Sequence, residues 1–418
     1  MFLAQANRIT GLHILGIADL DVQRITDSLE RAEWHQNSYS ASNFEQALAS
    51  HTTHITDDPI SLIEAEGLEV LVEATGSPVA GAQYALRSID AGLHIVMVNV
   101  EADVLVGPLL AQRARSAGVT YTLAYGDQPA LICEMVDWAR LCGFEVVCAG
   151  KGTKYLPAFR TSTSDTVWDH YGFSQEQIRK GGFNPRMFNS FLDGTKSAIE
   201  MAAVSNATGL MPAPGGLDFP PCGIKDLPNV CKPHLDGGTL SHKGTVEVVS
   251  SLNRDGSPVP DDLRWGVFVT FEAPGDYVAQ CFSEYGLVTD STGIYTAMYR
   301  PYHLVGLELA ISVISAGLNA GPTGSPLKFH ADVVATAKRD LAEGEELDGE
   351  GGNCVYGSLK RVETGPGMEG FPIGLAHKVR LKNRVSAGSQ LLWSDVTYDP
   401  NNPIVEMRLE MQDKYGNA

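Results

Sequence analysis

The stretch LEVLVEATGSPVAGAQYALRSIDAGLHIVMVNVEAD, from Leu68 to Asp103, decides the fold of this chain. An apolar run at 70–72 ends in a glycine turn, a segment with apolar residues near 3.6-residue spacing follows, and a second apolar run occupies 95–98. This pattern predicts a βαβ unit in a parallel sheet covered by helices. Such sheets bind ligands beyond the carboxyl ends of their strands. The residues that we assign to cofactor binding at this edge are Thr75, Gly76, Asn99 and Glu101.

Length, charge and cysteine content limit the class of protein. A chain of 418 residues is longer than one core usually supports, so we expect several domains. The 50 acidic against 31 basic residues argue against nucleic acid or an anionic membrane surface as partner. Seven cysteines without metal-ligand spacing indicate reduced thiols, and no metal is assigned. No apolar run approaches the roughly 20 residues of a membrane span. We therefore expect a cytoplasmic protein that acts on a small molecule.

The N-terminal residues predict a helix followed by a strand at 14–18, which ends at Asp19. In a dinucleotide-binding fold these are the first helix and the second strand. An acidic residue at that strand end accepts hydrogen bonds from the adenosine ribose, so Asp19 favours NAD over NADP. The first strand and its glycine-rich phosphate loop are missing, and we predict an N-terminally truncated Rossmann domain whose natural start lies upstream. The alternative is a different α/β fold that begins with a helix.

Further elements follow on both sides of the opening stretch. Residues 22–65 read as helical and polar. After Asp103 we predict a helix at 107–118, a strand at 120–124, a helix at 130–143 and a strand at 145–149. The loops after the two strands carry Asp127 and Lys151, which this alternation brings toward one rim. For Lys151 the alternative is an ordinary lysine in a turn.

The segment FLDGTKSAIEMAAVSNATG, residues 191–209, carries the densest set of polar groups in a helix-forming stretch. Lys196 and Glu200 lie four residues apart, on one face of the predicted helix. Their neighbours are apolar, and a buried carboxylate or ammonium is costly unless it is paired or used. This helix is therefore a candidate for the wall of the catalytic site. The alternative is a solvated ion pair.

Two further regions stand out toward the C-terminus. In the motif YRPYHL, Arg300 can hold a phosphate or carboxylate and His303 titrates near neutrality. A packing cluster of aromatic residues with a satisfied histidine is the alternative. Residues 333–348 and 378–392 share an outline of alternating strand, charged turn, glycine and short strand, which predicts a small all-β module.

These motifs carry a family resemblance. The VEATGSP turn and the AGLHIVMVN run resemble those of homoserine dehydrogenase-type Rossmann enzymes. The C-terminal module resembles a SAF domain, the β-clip module. Together with NVEAD, AGKG, the 191–209 segment and YRPYHL, they make the chain similar to a bacterial group that includes the deoxyxylulose phosphate reductoisomerase-like enzymes of isoprenoid precursor synthesis.

The resemblance implies an α/β protein of three domains. Residues 1–150 are expected to form the truncated, doubly wound Rossmann domain with a parallel sheet. Residues 151–328 are expected to form an α+β catalytic and dimerisation domain, and 329–418 the all-β SAF-like domain. Enzymes of this architecture often pair through the middle domain, so we expect a homo-oligomer.

The resemblance also implies an NAD(P)-dependent oxidoreductase that reduces or oxidises a small polyhydroxylated, in some members phosphorylated, carbonyl or alcohol. The alternatives are a reductoisomerase-like enzyme, a homoserine dehydrogenase, and a non-catalytic sensor of nucleotides or sugars. In homoserine dehydrogenases a lysine follows the asparagine that matches Asn99, whereas Val100 follows it here. Reductoisomerase-like members imply NADPH, while Asp19 favours NAD.

Roles for the remaining residues follow from this chemistry. Lys151 or Lys196 would protonate the developing alkoxide, and Asp193 and Glu200 would orient hydroxyl groups or the ammonium. A reductoisomerase would also need a divalent metal, for which the same two carboxylates are the ligands to test. The residues expected to bind substrate are Asp127, Asn206, Arg300 and His303.

Overall fold

A computed structural model describes residues 1–362 and 369–416. By its internal contacts the chain forms two compact units, which are described here one at a time. The first unit comprises Met1–Asn99, Leu109–Leu131 and Leu304–Ser325. The second comprises Val100–Pro108, Ile132–His303 and the described residues from Pro326 onward. The three-domain division at residues 150 and 328 stays a prediction. Among the described residues, no helix has both the length and the apolar character needed to cross a bilayer.

The helices and strands are numbered in chain order. The helices are α1 (Phe2–Ala6), α2 (Val22–Arg31), α3 (Phe44–Ser50), α4 (Pro59–Ile63), α5 (Pro78–Asp90), α6 (Val100–Ala117), α7 (Gln128–Leu141), α8 (Val167–Tyr171), α9 (Gln175–Gly181), α10 (Pro185–Leu192), α11 (Thr195–Thr208), α12 (Leu227–Val230), α13 (Asp276–Glu284), α14 (Ala310–Gly317) and α15 (Pro403–Gly416). The strands are β1 (Gly16–Ala18), β2 (His54–Thr56), β3 (Val70–Glu73), β4 (His94–Met97), β5 (Tyr121–Leu123), β6 (Glu145–Thr153), β7 (Thr245–Ser250), β8 (Val267–Glu272), β9 (Tyr295–Arg300), β10 (Ala331–Ala337), β11 (Glu346–Asp348), β12 (Val355–Arg361), β13 (His377–Leu381) and β14 (Val396–Thr397).

The first unit contains parallel strands, as the opening stretch predicts. Strands β3, β4 and β5 pair in parallel, with Val70 opposite His94 and Ile95 opposite Tyr121. Helix α5 connects β3 to β4, so the βαβ prediction is confirmed. Ser77 accepts a hydrogen bond from the Ala80 backbone at the start of α5, a typical N-cap. The carboxyl ends of β3 and β4 are therefore neighbours.

Two predictions about this unit need correction. Residues 22–65 are not wholly helical, because they contain β2, which pairs in parallel with β1 as a two-stranded sheet. The apolar alternation of so short a strand is too weak to separate it from the surrounding helices. The helix expected at 107–118 begins instead at Val100, directly after Asn99.

The second unit is built on a mixed sheet of four strands in the order β7, β6, β8, β9. Strand β7 runs parallel to β6, and the other neighbours are antiparallel. Residues 150–154 were expected to form a turn, but β6 continues through Thr153, so Lys151 lies inside a strand. Glycine residues in a strand weaken the sequence pattern, and this explains the error.

Helix α11 crosses the second unit almost fully buried, with every residue except Lys196 inside the protein. It begins and ends at glycines with positive φ, Gly194 (φ +90°) and Gly209 (φ +76°). A helix that is buried on all sides must satisfy each polar side chain within the protein. The partners of its charged residues therefore define the candidate site.

The C-terminal region is rich in strands but is not all-β. Strand β10 pairs antiparallel with β12, and β13 lies between β11 and β14. The two similar segments meet in the structure, where Leu341 bridges Val385 and Thr336 bridges Gln390. The chain then closes in helix α15, which the all-β prediction missed. The Arg408 guanidinium on α15 is fully buried, hydrogen-bonded to the Leu105 carbonyl at 3.0 Å and paired with the Asp332 carboxylate.

Candidate active site

The strand ends of the first unit bring two of the predicted cofactor residues together. The Asn99 side-chain amide donates to the Ser77 carbonyl at 2.9 Å and to the Thr75 hydroxyl at 3.4 Å. The Glu73 carboxylate accepts from the Thr75 backbone N–H at 2.8 Å. Gly76 has φ +69°, and a Cβ there would meet no atom within 4 Å. These hydrogen bonds tie the loop to the sheet edge, and the open space at Gly76 leaves room for a cofactor.

Asp19 lies directly after β1, as predicted. The Arg24 guanidinium contacts both of its carboxylate oxygens, at 2.5 and 2.6 Å. Partial burial by itself raises the pKa of Asp19, but hydrogen bonds from the Asp21 backbone and from Arg24 lower it below its ordinary value. The carboxylate therefore stays ionised at neutral pH and can accept hydrogen bonds from hydroxyl groups.

Asp127 also belongs to the first unit and is 8 % exposed. It directly precedes α7, and its carboxylate accepts from the Gln128 backbone N–H at 2.8 Å. An acidic side chain at a helix N-terminus is stabilised by the helix dipole. This position gives Asp127 a structural role in addition to the predicted contact with substrate.

In the second unit, Lys151 on β6 and Glu200 on α11 form a buried ion pair. The Lys151 ammonium donates to the Glu200 carboxylate, and the side chains are 8 % and 4 % exposed. Burying both charges is tolerable because each neutralises the other. The structure therefore unites two residues that the sequence placed 49 positions apart.

Glycine is required on either side of Lys151 for a steric reason. A Cβ on Gly150 would lie 1.7 Å from the Glu247 carbonyl oxygen, and one on Gly152 would lie 1.9 Å from the Leu263 carbonyl oxygen. Neighbouring backbone thus approaches β6 from both sides. The glycines of the AGKG motif let neighbouring backbone pack closely on both sides of Lys151, and this packing fixes the position of the lysine.

Lys196 does not pair with Glu200, although the two are correctly spaced on one helix. Its ammonium lies 2.5 Å from the Glu101 carboxylate, a residue predicted to bind cofactor. Near this pair, the carboxyl of the half-buried Glu350 accepts from the Ser190 hydroxyl. Burial and the Glu101 charge raise the pKa of Glu350 to about 8, against the opposing effect of Lys196. At neutral pH Glu350 is therefore protonated. The Glu101, Lys196 and Glu350 side chains together then carry one negative and one positive charge.

Asp193 is also buried and paired. Its carboxylate lies 2.8 Å from the Lys338 ammonium and accepts from the Thr195 backbone N–H at 2.9 Å. Burial raises its pKa, while Lys338 and Thr195 lower it, and the net effect is upward. In the second unit, Asp193 and Glu200 therefore form ion pairs with two different lysines, Lys338 and Lys151. Among the described residues, no three His, Cys, Asp or Glu side chains are grouped to hold a metal ion.

The remaining predicted substrate residues are engaged with the protein itself. The Asn206 carbonyl oxygen accepts from the backbone N–H groups of His330 (2.7 Å) and Ala331 (2.9 Å), and its amide donates to the Ala331 carbonyl at 3.1 Å. This amide anchors the start of β10. The Arg300 guanidinium stacks over Tyr302 at 4.8 Å, and His303 lies 2.7 Å from the Trp265 carbonyl oxygen. The Tyr299 and Tyr302 rings are 38% and 50% exposed, so they do not form a packed aromatic cluster, and the substrate role of Arg300 and His303 stays a prediction.

Glu247 on β7 is a site residue that the sequence reasoning missed. It is 3 % exposed, and burial raises its pKa to about 7 despite hydrogen bonds from the backbone N–H groups of Val248, Asp218 and Phe219. A carboxylate within the apolar strand TVEVVS is the signal that could have identified it. Lys338 and Glu350 carried no comparable signal, because they lie in segments already rich in charge.

Comparison with solved structures finds remote similarities. One is described as a probable dehydrogenase from Thermotoga maritima, at 12% identity and TM-score 0.37, covering 77% of this chain and 86% of that one. An NAD binding oxidoreductase from Klebsiella pneumoniae gives 17% identity and TM-score 0.25, over 38% and 41% of the two chains. A DOX-P reductoisomerase in complex with NADPH, fosmidomycin and magnesium gives 12% identity and TM-score 0.32, over 76% of each chain. Scores below 0.5 establish neither a common fold nor a common activity.

Comparison of the sequence gives a more direct result. No curated protein matches the chain significantly. Residues 126–309 match a family model described as the catalytic domain of oxidoreductase DRL. The matched stretch is less than half of the chain, and it contains both Lys151 and Glu200. This match supports an oxidoreductase, the general class that the sequence motifs predict.

Proposed function

We propose that this chain is an NAD(P)-dependent oxidoreductase that transfers a hydride between nicotinamide and a small polyhydroxylated carbonyl or alcohol. The observation that carries the proposal is the buried Lys151–Glu200 pair within the stretch that matches the oxidoreductase family model. Buried ion pairs stabilise proteins weakly when compared with apolar residues of the same size. A lysine and a glutamate kept at 8 % and 4 % exposure therefore suggest a catalytic use.

Lys151 is the acid of the proposed reaction. When the carbonyl carbon accepts a hydride, its oxygen becomes an alkoxide, and the Lys151 ammonium donates a proton to it. In the oxidation direction the neutral amine takes the proton back from the alcohol. Glu200 is a positioning residue in this scheme, because its carboxylate holds the ammonium in one orientation.

A bound nicotinamide would supply or accept the hydride. Thr75, Gly76 and Asn99 would hold it, because hydrogen bonds tie their loop to the sheet edge and there is open space at Gly76. Asp19 would accept hydrogen bonds from the adenosine ribose hydroxyls, one of which is replaced by a phosphate in NADP, and it keeps the nearby Arg24 guanidinium paired. The proposed cofactor is therefore NAD in preference to NADP.

The substrate class rests on the resemblance to reductoisomerase-like enzymes, whose members act on sugar-derived compounds. A polyhydroxylated substrate needs several hydrogen-bond acceptors, and the second unit offers the carboxylates of Glu101 and Glu200.

We also propose that residues 329–418 form a SAF-like domain. The antiparallel pairing of β10 with β12 and the bridges between the two similar segments are compatible with a β-clip.

The direct test is cofactor-linked turnover, followed through NADH or NADPH absorbance, across a panel of sugar phosphates, tetronates and homoserine. We expect turnover with a polyhydroxylated compound and a higher kcat/KM with NAD(H). Turnover of homoserine alone would overturn the substrate class. Nucleotide binding without turnover of any panel member would favour the sensor alternative.

A further inference from the structure

The second unit contains a cavity that the proposed reaction does not use. Its volume is about 160 Å³. The walls are formed by the start of α11, the loop around Gly216 and strand β12. A water molecule takes up about 30 Å³ in the liquid, so the cavity has room for about five water molecules. This is the size of a small metabolite and much too small for a dinucleotide.

Two cations line the cavity. They are Arg160, which is exposed, and Lys360, which is half-buried. Among the described residues, neither forms an ion pair with a carboxylate. Burial, together with the nearby Arg160 charge, lowers the pKa of Lys360. Two cations without a carboxylate partner thus line one cavity in a chain of net charge −19, and a bound anion would relieve their repulsion.

Arg160 is oriented by a firm contact. Its Nε donates to the Tyr155 hydroxyl at 2.6 Å, and the Tyr155 ring stacks on Phe219 with centroids 3.8 Å apart. Phe219 has φ +51°, a conformation that costs energy for a non-glycine residue. The Glu247 carboxylate stabilises this conformation by accepting from the Phe219 backbone N–H at 3.3 Å. Arg160 is therefore held by Tyr155, which is in turn packed against Phe219.

The acidic residue in the cavity wall does not oppose an anion strongly. Asp193 lies at the start of α11, but its carboxylate is buried and paired with Lys338 at 2.8 Å. Gly194, the N-cap of this 14-residue helix, provides no side-chain cap and also lines the cavity. The Thr195 N–H at this helix start is already bound by the Asp193 carboxylate at 2.9 Å, so the two cations are the groups left to bind an anion.

Hydroxyl and amide groups complete the lining. The Thr336 and Ser358 hydroxyls lie 2.8 Å apart and both line the cavity, together with Tyr356 and Gln390. Such groups donate to and accept from the hydroxyls of a sugar-like compound. The lining therefore combines a cationic end with several neutral polar groups.

The cavity is distinct from the Lys151–Glu200 pair. Ala198 lines it, and two helical residues later Glu200 faces Lys151. Two residues correspond to roughly 200° around a helix axis, so α11 separates the two locations. The ligand of this cavity is thus not the compound that Lys151 protonates.

We propose that this cavity is a second binding site, for a small polyhydroxylated anion whose carboxylate or phosphate group lies between Arg160 and Lys360. Sugar acids and sugar phosphates share this chemistry. The site goes beyond the proposed oxidoreductase reaction, and its occupancy does not depend on turnover.

Isothermal titration calorimetry with inorganic phosphate, D-gluconate and the uncharged sorbitol tests the proposal on the full chain. We expect the wild-type protein to bind phosphate or gluconate at least tenfold more tightly than sorbitol. Binding of phosphate alone would identify a sugar phosphate site, and binding of gluconate alone a sugar acid site. Binding of neither anion, or equal binding of sorbitol, would overturn the proposal.

Variants locate the binding. Arg160→Gln and Lys360→Gln are each expected to weaken anion binding at least tenfold, whereas the exposed Lys382→Gln, outside the cavity, is the matched control and should leave it unchanged. Lys151→Met should also leave it unchanged, so failure of the proposed reaction and failure of this site are distinguishable. Unchanged affinity in both cavity variants, measured on protein with wild-type circular dichroism, would contradict the proposal.

Discussion

The Lys151 ammonium on β6 donates a hydrogen bond to the Glu200 carboxylate on α11, and both side chains are almost entirely buried. The two residues come from different elements, and each glycine beside Lys151 keeps backbone close to the strand. An ion pair held this firmly in the interior has one defined geometry, which is the condition for accurate proton transfer.

Removing the lysine should lower both turnover and stability. In Lys151→Met the Glu200 carboxylate is buried without its partner, so we expect a loss of about 3 kcal/mol in the free energy of unfolding. We also expect kcat to fall at least 100-fold, since acid catalysis typically contributes that much. Urea unfolding and cofactor-linked kinetics measure the two effects.

The double variant Lys151→Met/Glu200→Leu separates catalysis from stability. Apolar replacements remove both buried charges, so most of the lost stability should return while turnover stays absent. A double variant with wild-type turnover would show that the pair is structural.

Glu247 should make the stability depend on pH. Its pKa is about 7 in the folded protein against an ordinary value of 4.5, so the folded state holds the proton more tightly. Its contribution is fully present below about pH 4.5 and is lost as the pH rises through 7, a change of about 3 kcal/mol. The Glu247→Gln variant cannot ionise at this position, so its free energy of unfolding should lack this pH-dependent change. Urea unfolding of both proteins from pH 4.5 to 8 measures it, and parallel curves would contradict the assignment.

Asn206 should prove to be an anchor of β10. Asn206→Ala leaves the backbone N–H groups of His330 and Ala331 buried without their acceptor, which costs about 3 kcal/mol. Thermal unfolding should show a lower Tm, with KM unchanged in the folded fraction. The exposed Asn229→Ala is the control. A raised KM at unchanged Tm would instead support the predicted contact with substrate.

Asp19 should determine the choice of cofactor. Asp19→Ala removes a charged acceptor for the ribose hydroxyls, so we expect NAD binding to weaken about tenfold. NADP binding should weaken less or improve, because the repulsion of its phosphate is also removed. Fluorescence titration with both nucleotides measures the ratio, and Asp27→Ala on the neighbouring helix is the control. An unchanged NAD to NADP ratio would refute the role of Asp19.

Gly152 should tolerate no side chain. A Cβ there would lie 1.9 Å from the Leu263 carbonyl oxygen, so Gly152→Ala forces neighbouring backbone to move and should prevent folding or lower Tm severely. Gly275→Ala is the matched control, because a Cβ at Gly275 meets nothing within 4 Å. Circular dichroism and thermal unfolding compare the two, and equal stability would contradict the close approach.

The sequence by itself determined the elements whose patterns are local. Apolar periodicity in the 68–103 stretch predicted the βαβ unit, and the helix-forming residues of the 191–209 segment predicted a helix that carries Lys196 and Glu200. Strand β2 was missed because three residues carry too little periodicity. The end of β6 was misplaced because its glycines resemble those of a turn.

Only the tertiary structure decided the partners of the charged residues. Lys196 and Glu200 have the right spacing to pair with one another, yet the first pairs with Glu101 and the second with Lys151. The energy of an exposed pair four residues apart on a helix is a few tenths of a kcal/mol, whereas a buried charge without a partner costs several kcal/mol. The larger energy prevails, and it depends on which elements pack against α11. That packing joins residues far apart in the chain, so no local pattern in the sequence records it.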